Sequence, residues 1–216
     1  MKTYLELING VLRRMREDTV SSIYQNQSST IISEFINDAK RQVEDSHDWT
    51  GLNTDIVVPT VDGTSSYSLT GSQNNATIID VRDLTNNSVM RYVPSAYVRR
   101  QELINNPGTT QPSMWTEDGI DGNGDTVVKF WPVPDGAYQM SFRVTLRTDD
   151  LEAEGDTLAV PHMPVIHMAH ALAAAERGDV DGQDLAMLNG LAKKSLGDAI
   201  QYDMAKQPEN SIWYPV

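Results

Sequence analysis

INDAKRQVEDSHDWTGLNTDIVVP, residues 36–59, holds the change of pattern on which the fold turns. Its first half continues a helical repeat. Across STIISEFINDAKRQVEDSHDW (29–49), Ile32, Phe35 or Ile36, Ala39 and Val43 return at helical spacing, with serines and Thr30 opening the helix. Trp49 and Gly51 close it. Beyond them NTDIVVPTVDGTSSYSL (53–69) reads as two short strands about Asp62-Gly63, a hairpin signal.

Upstream, MKTYLELINGVLRRMRED predicts another helix. Thr3 and Glu6 fit a capping box, and Leu5, Ile8, Leu12 and Met15 share a face. Downstream, TIIDVRDL (77–84) and SVMRYVP (88–94) predict a strand pair across Asn86-Asn87. SAYVRRQELIN, after Pro94, reads as a short helix. DTVVKFWPVP and YQMSFRVTLR then predict strands joined through the Pro134-Asp135-Gly136 turn.

From Asp156 the helical period returns. Pro161 and Pro164 suit a first turn, Val165, Ile166, Ala169, Leu172 and Ala173 form a stripe, and Gly178 stops it. A second helix follows through Leu185, Leu188, Ala192, Leu196, Ala199 and Ile200 to about Lys206. The short loop between the two makes them antiparallel neighbours. Gly190 and Gly197 lie on one face of that helix; they either admit another helix at close range or merely weaken this one by ~1 kcal/mol each.

These segments predict an α+β protein, with a helical bundle built from the N- and C-terminal segments and an inserted antiparallel β module. The expected divisions are 1–50 for the first bundle helices and 51–159 for the module with its short helix. Residues 160–206 supply the helix pair, and 207–216 a C-terminal tail.

Composition narrows the function. At 216 residues the chain buries roughly 70% of its unfolded surface and needs no metal or disulfide to fold. It has no cysteine, which excludes thiolate chemistry and fits a reducing compartment. No export signal is read at the N-terminus, so the sequons at Asn26, Asn75 and Asn86 carry no meaning, and no stretch reaches the ~20 apolar residues of a membrane span. The net charge is −13, spread as −2 over 1–50, −8 over 51–160 and −3 over 161–216, which argues against gripping nucleic acid. The short basic clusters (Arg13, Arg14 and Arg16; Arg99 and Arg100; Lys193 and Lys194) read as solvated helix faces.

Candidate chemistry is sparse. PHMPVIHMAH (161–170) carries His162, His167 and His170, and the last two share a helix face able to hold a metal. No acid lies between them, and the reading favoured is packed or interface histidines. DGIDGNGD (118–125) resembles a calcium loop, but Thr126 and Pro132 stand where an EF-hand needs glycine and glutamate, so it reads as a polar turn. DDLEAEGD reads as a solvated acidic loop. No nucleophile elbow or phosphate-binding glycine pattern is present. The end of the chain, SIWYPV, is apolar; burying Trp213 alone removes ~200 Å² from water, worth up to roughly 5 kcal/mol before ordering costs. It folds back on its own domain or docks on another chain.

The order of pieces resembles the head-to-tail adaptor (connector) proteins of tailed bacteriophages, including the tail-tubular adaptors of short-tailed phages. The likeness runs through INDAKRQVEDSHDW leading into a strand, FWPVPDGAYQMSFRV, the acidic loop ending in DTLAVPHMP, and the Ala-rich VIHMAHALAAAERGD. It covers most of residues 29–206. It implies a structural virion protein rather than an enzyme, without cofactor or metal. Such proteins form a ring, typically of twelve copies, beneath the portal, extend the DNA channel without binding DNA specifically, and offer a platform to the tail or nozzle. The implied site is the virion, assembled in the host cytoplasm, with no membrane partner. Partner contacts are expected at Ile212, Trp213, Tyr214 and Val216 and at Gly190 and Gly197. The competing readings are a head-closure or tail-completion protein, and a metal-dependent hydrolase or binding module using the histidines.

Overall fold

The computed structural model describes residues 2–72, 76–104, 108–178 and 180–206. Two compact units are present: residues up to Leu52 together with the described residues from Arg147 onward, and Asn53–Leu146.

The first unit is helical. Helix α1 (Tyr4–Arg14) begins with the capping box read from sequence: Thr3 Oγ1 accepts from the Glu6 amide, and the Thr3 amide donates to Glu6 Oε2 at 3.1 Å. Helix α2 (Gln27–Asp45) starts earlier than the serine cluster suggested. Asn26 is its cap, accepting from the Ser29 amide at 2.7 Å, while Ser29 Oγ accepts from the Asn26 amide. Helices α4 (His162–Arg177) and α5 (Gly182–Met204) form the C-terminal pair. Gly178 ends α4 in the left-handed region at φ 67°, where a side chain would be strained, and Asp181 caps α5.

The core of this unit joins Leu7, Ile8, Val11 and Leu12 of α1 to Ile32, Ile36, Ala39 and Val43 of α2 and to Val165, Ile166, Ala169 and Ala173 of α4. Residues 147–160 belong to it as well, although the sequence assigned everything to 159 to the β module. Leu151, Leu158 and Val160 are buried against the helices, and the Leu151 amide donates to Asn37 Oδ1 at 3.0 Å. This strap passes so close to the 3-10 turn Thr50–Leu52 that a Cβ on Gly51 would stand 2.5 Å from the Ala159 carbonyl oxygen. Only glycine fits there.

The second unit is a β-sandwich of two four-stranded sheets. The strands are β1 (Asn53–Pro59), β2 (Ser66–Ser68), β3 (Thr77–Asp83), β4 (Ser88–Val89), β5 (Arg91–Tyr92), β6 (Met114–Ile120), β7 (Thr126–Trp131) and β8 (Gln139–Thr145), with α3 (Ser95–Ile104) between β5 and β6. One sheet runs β1-β8-β3-β4 and the other β2-β7-β6-β5; all pairs are antiparallel except β5 with β6. Val81, Met140, Phe142 and Val144 of one sheet face Trp115, Val128 and Phe130 of the other, with Phe130 and Phe142 rings 5.9 Å apart.

The expected pair across Asn86-Asn87 forms as β3 and β4. The hairpin expected around Asp62-Gly63 does not. β1 pairs with β8 and β2 with β7, so the turn is a corner where the chain changes sheet. The Pro134–Gly136 turn between β7 and β8 is a second such corner, and the two are bonded together. The Thr60 amide donates to Tyr138 O at 2.8 Å and the Gly63 amide to Pro134 O at 2.9 Å.

Candidate interaction surfaces

The histidines come first, because they were the principal candidate for metal chemistry. His162 opens α4, and His167 and His170 follow on it, all partly buried. Burial, and behind it the Arg14 guanidinium of α1, hold the His167 and His170 imidazoles below their ordinary range; His162 is lowered by burial and then by Lys2. A guanidinium beside a histidine pair repels a cation as surely as it disfavours a second proton. Among the described residues no group of three or more His, Asp or Glu could hold a metal ion.

DGIDGNGD folds as the end of β6 and the β6–β7 turn. Asp121 Oδ1 accepts from the Asn123 and Asp125 amides at 2.8 and 2.9 Å, which holds its carboxyl below the ordinary value. Its oxygens serve the turn's own backbone and the Ser68 hydroxyl. DDLEAEGD is part of the strap: Asp150 pairs with Arg41, and Asp156 Oδ2 accepts from the Glu152 and Ala153 amides. Its carboxylates hold the loop and do not converge on a reacting centre.

Two polar clusters escaped the sequence reading. Lys40 and Glu44, one helical turn apart on α2, are both fully buried; Lys40 Nζ lies 3.2 Å from Glu44 Oε1 and donates to the Thr148 carbonyl at 2.6 Å, while Thr148 Oγ1 donates to Glu44 at 2.7 Å. Their spacing on the same face as Ile36 and Val43 was the available signal. Near the end of α5, Asp203 accepts from the Thr50 amide (2.9 Å), Thr50 Oγ1 (2.7 Å) and Lys206 Nζ (3.3 Å). Burial works to raise the Asp203 carboxyl, but the bonds from Thr50 and Lys206 together outweigh it and hold it low. His47 Nε2 stands 3.6 Å from the same carboxylate, beyond hydrogen-bond reach. Both clusters pin the segments that lead to and from the sandwich unit, and nothing about them calls for a substrate.

The surface the sequence singled out on α5 is open. A Cβ on Gly190 or Gly197 would meet no atom within 4 Å, so the pairing of α4 with α5 leaves that side unused. Met187, Leu191, Tyr202 and Met204 stand exposed on the same helix. Ile212, Trp213, Tyr214 and Val216 lie outside the described residues.

The chain is thus a helical unit with exposed apolar residues on α5 and a β-sandwich unit. The chain belongs to the family described as SU10 adaptor protein, whose profile matches residues 2–211. It is thus a bacteriophage head-to-tail adaptor, a virion-associated structural protein and not an enzyme. A comparison with curated proteins gives no match. No helix among the described residues is long and apolar enough to cross a membrane.

Proposed function

We propose that copies of this chain close into a ring of twelve that joins the portal to the tail or nozzle and prolongs the DNA channel. The observation that carries this reading is the α5 face. Met187, Leu191, Tyr202 and Met204 are too exposed to stabilise the monomer, and the glycines beside them leave room for another backbone. A ring needs a heterologous contact, in which one patch of each copy meets a different patch of the next. The tail residues Ile212, Trp213, Tyr214 and Val216 are assigned to the same task, on a neighbour or on the portal. The acidic surface suits a channel through which DNA slides without sticking. Virion assembly then takes place in the host cytoplasm.

Electron microscopy of the purified chain, alone and mixed with the portal of the same virion, tests the reading. Twelvefold rings stacked on portals are expected; isolated monomers in both samples would remove it. Deleting residues 210–216 should leave a folded monomer that no longer joins portals. A deletion that instead lowers the melting temperature sharply would assign the tail to its own core.

A further inference from the structure

The sheets of the sandwich unit end in unequal edges. β4 and β5 have two residues each and β2 has three, whereas β1 runs for seven, Asn53–Pro59. A short edge leaves little backbone to pair with, and a long one is a template for another strand. The register tells which groups β1 leaves free. The Thr60 amide donates to Tyr138 O, and this pair continues the antiparallel register of β1 with β8. Alternation then turns the amides and carbonyls of Thr54, Ile56 and Val58 toward β8, and those of Asn53, Asp55 and Val57 outward. Pro59 shares the outward phase, where its missing amide costs no ladder bond. Among the described residues β1 pairs with β8 alone, and no other hydrogen bond takes up the outward amides of Asp55 and Val57. Both residues are exposed, Val57 at 49%.

We propose that this edge receives residues 209–214, ENSIWY, of a second copy of this chain, laid along β1 as a fifth strand. The proposal rests on the ring reading, since a ring makes a second copy the neighbour. The other edges are too short to match β1, and β1 against β1 is a twofold contact that closes a dimer instead of a ring. Ile212, Trp213 and Tyr214 are strand-forming types, and the six residues between Pro208 and Pro215 all keep their amides. That length suits the five residues Asn53–Val57. Ten residues follow Lys206 and reach up to ~33 Å when extended, enough to cross to a neighbour. They also leave from a suitable place, because Tyr202 and Met204, exposed at the end of α5, belong to the face assigned to that neighbour. In strand addition the backbone bonds supply affinity, and alternate side chains supply the fit.

Hydrogen exchange of the full chain, read by mass spectrometry in monomer and ring, tests this. The Asp55 and Val57 amides and those of 209–214 should exchange at least about tenfold more slowly in the ring. Sedimentation velocity adds the variants. Val57→Pro removes an outward amide that β8 does not use and should weaken association at least about tenfold, as Ile212→Pro should from the other side. Val57→Thr keeps the amide and should associate like the wild type. If circular dichroism shows that Val57→Pro does not fold, Ile212→Pro and the exchange of β1 decide together. Protection of β1 already present in the monomer and lost on deleting 207–216 would give the edge to the chain's own segment. Protection in a ring that survives the deletion would give it to another strand. Either result overturns the proposal. So does a ring whose Asp55 and Val57 amides exchange as in the monomer, which leaves the ring reading standing. A wild type that never associates would remove both.

Discussion

Helices α4 and α5 are joined by a few residues and pack on each other, yet they are built for opposite surroundings. α4 buries Pro164, Val165, Ile166, Ala169, Ala171, Ala173 and Ala174; α5, although longer, buries only Ala192 and Asp203. Small alanines let α4 approach its neighbours closely and fill the centre of the helical unit. On α5 the apolar residues run round the helix, and those facing away from α4 stay in water. An amphipathic helix in a finished monomer carries one apolar stripe. The exposed Met187, Leu191, Tyr202 and Met204 of α5 fall outside that stripe, and they are what the proposed ring contact would cover.

The steepest way to break the contrast lies in α2, which packs on α4. Lys40→Met leaves Glu44 buried and unpaired, and chemical denaturation should show a loss of about 3–5 kcal/mol. A change of less than about 1 kcal/mol would mean that water reaches this interior. Next comes a matched pair of truncations. Ile166→Ala should cost about 2–5 kcal/mol, because Ile166 is fully buried, whereas Leu191→Ala on α5, with 47% exposure, should cost about 0.5 kcal/mol or less. Equal losses would erase the distinction between the helices.

The pH dependence of stability separates them again. The folded imidazoles of α4 sit below their ordinary value of 6.5, so the folded chain binds fewer protons than the unfolded one. Their contribution is complete above that value and is lost as pH falls through about 6.5 toward the lower folded values. The total should be on the order of 1 kcal/mol after solvent screening. Asp203, also lowered, acts in the same direction in a more acidic window, below its ordinary 3.8. Thermal melts of the monomer from pH 8 to pH 5.5 should therefore show falling stability, flattened in His167→Gln/His170→Gln. The smallest effect is expected on α5. Gly190→Ala adds a methyl group into open space and should raise monomer stability by up to about 1 kcal/mol. The same change should weaken ring formation if another backbone approaches there; stabilisation with unchanged assembly would place the contact elsewhere.

Much of the helical unit was legible because its signals are local. The Thr3–Glu6 box, the repeat through Ile32, Ile36, Ala39 and Val43, and Gly178 ending α4 each act within a few residues. Failure came where partners are distant in sequence. Asp62-Gly63 has the chemistry of a tight turn, and a turn residue cannot report whether the strands it joins pair with each other or leave for different sheets. The strap's acidic run is solvated as read, but Leu151, Leu158 and Val160, which tie it to the helical unit, carry no local signal of their partners. For the interaction surfaces, glycine spacing on α5 was visible in the chain, but which side of α5 its packing against α4 leaves open was not.

From its residues alone this protein has its helical ends, its strand-rich middle, its acidic charge and its lack of cysteine, since capping, periodicity and composition act over short range. Three-dimensional packing alone decides which strands share a sheet, where the sandwich unit stops and which helix face stays uncovered. Those outcomes depend on burying apolar area between segments far apart in the chain, and no short window of sequence contains both partners.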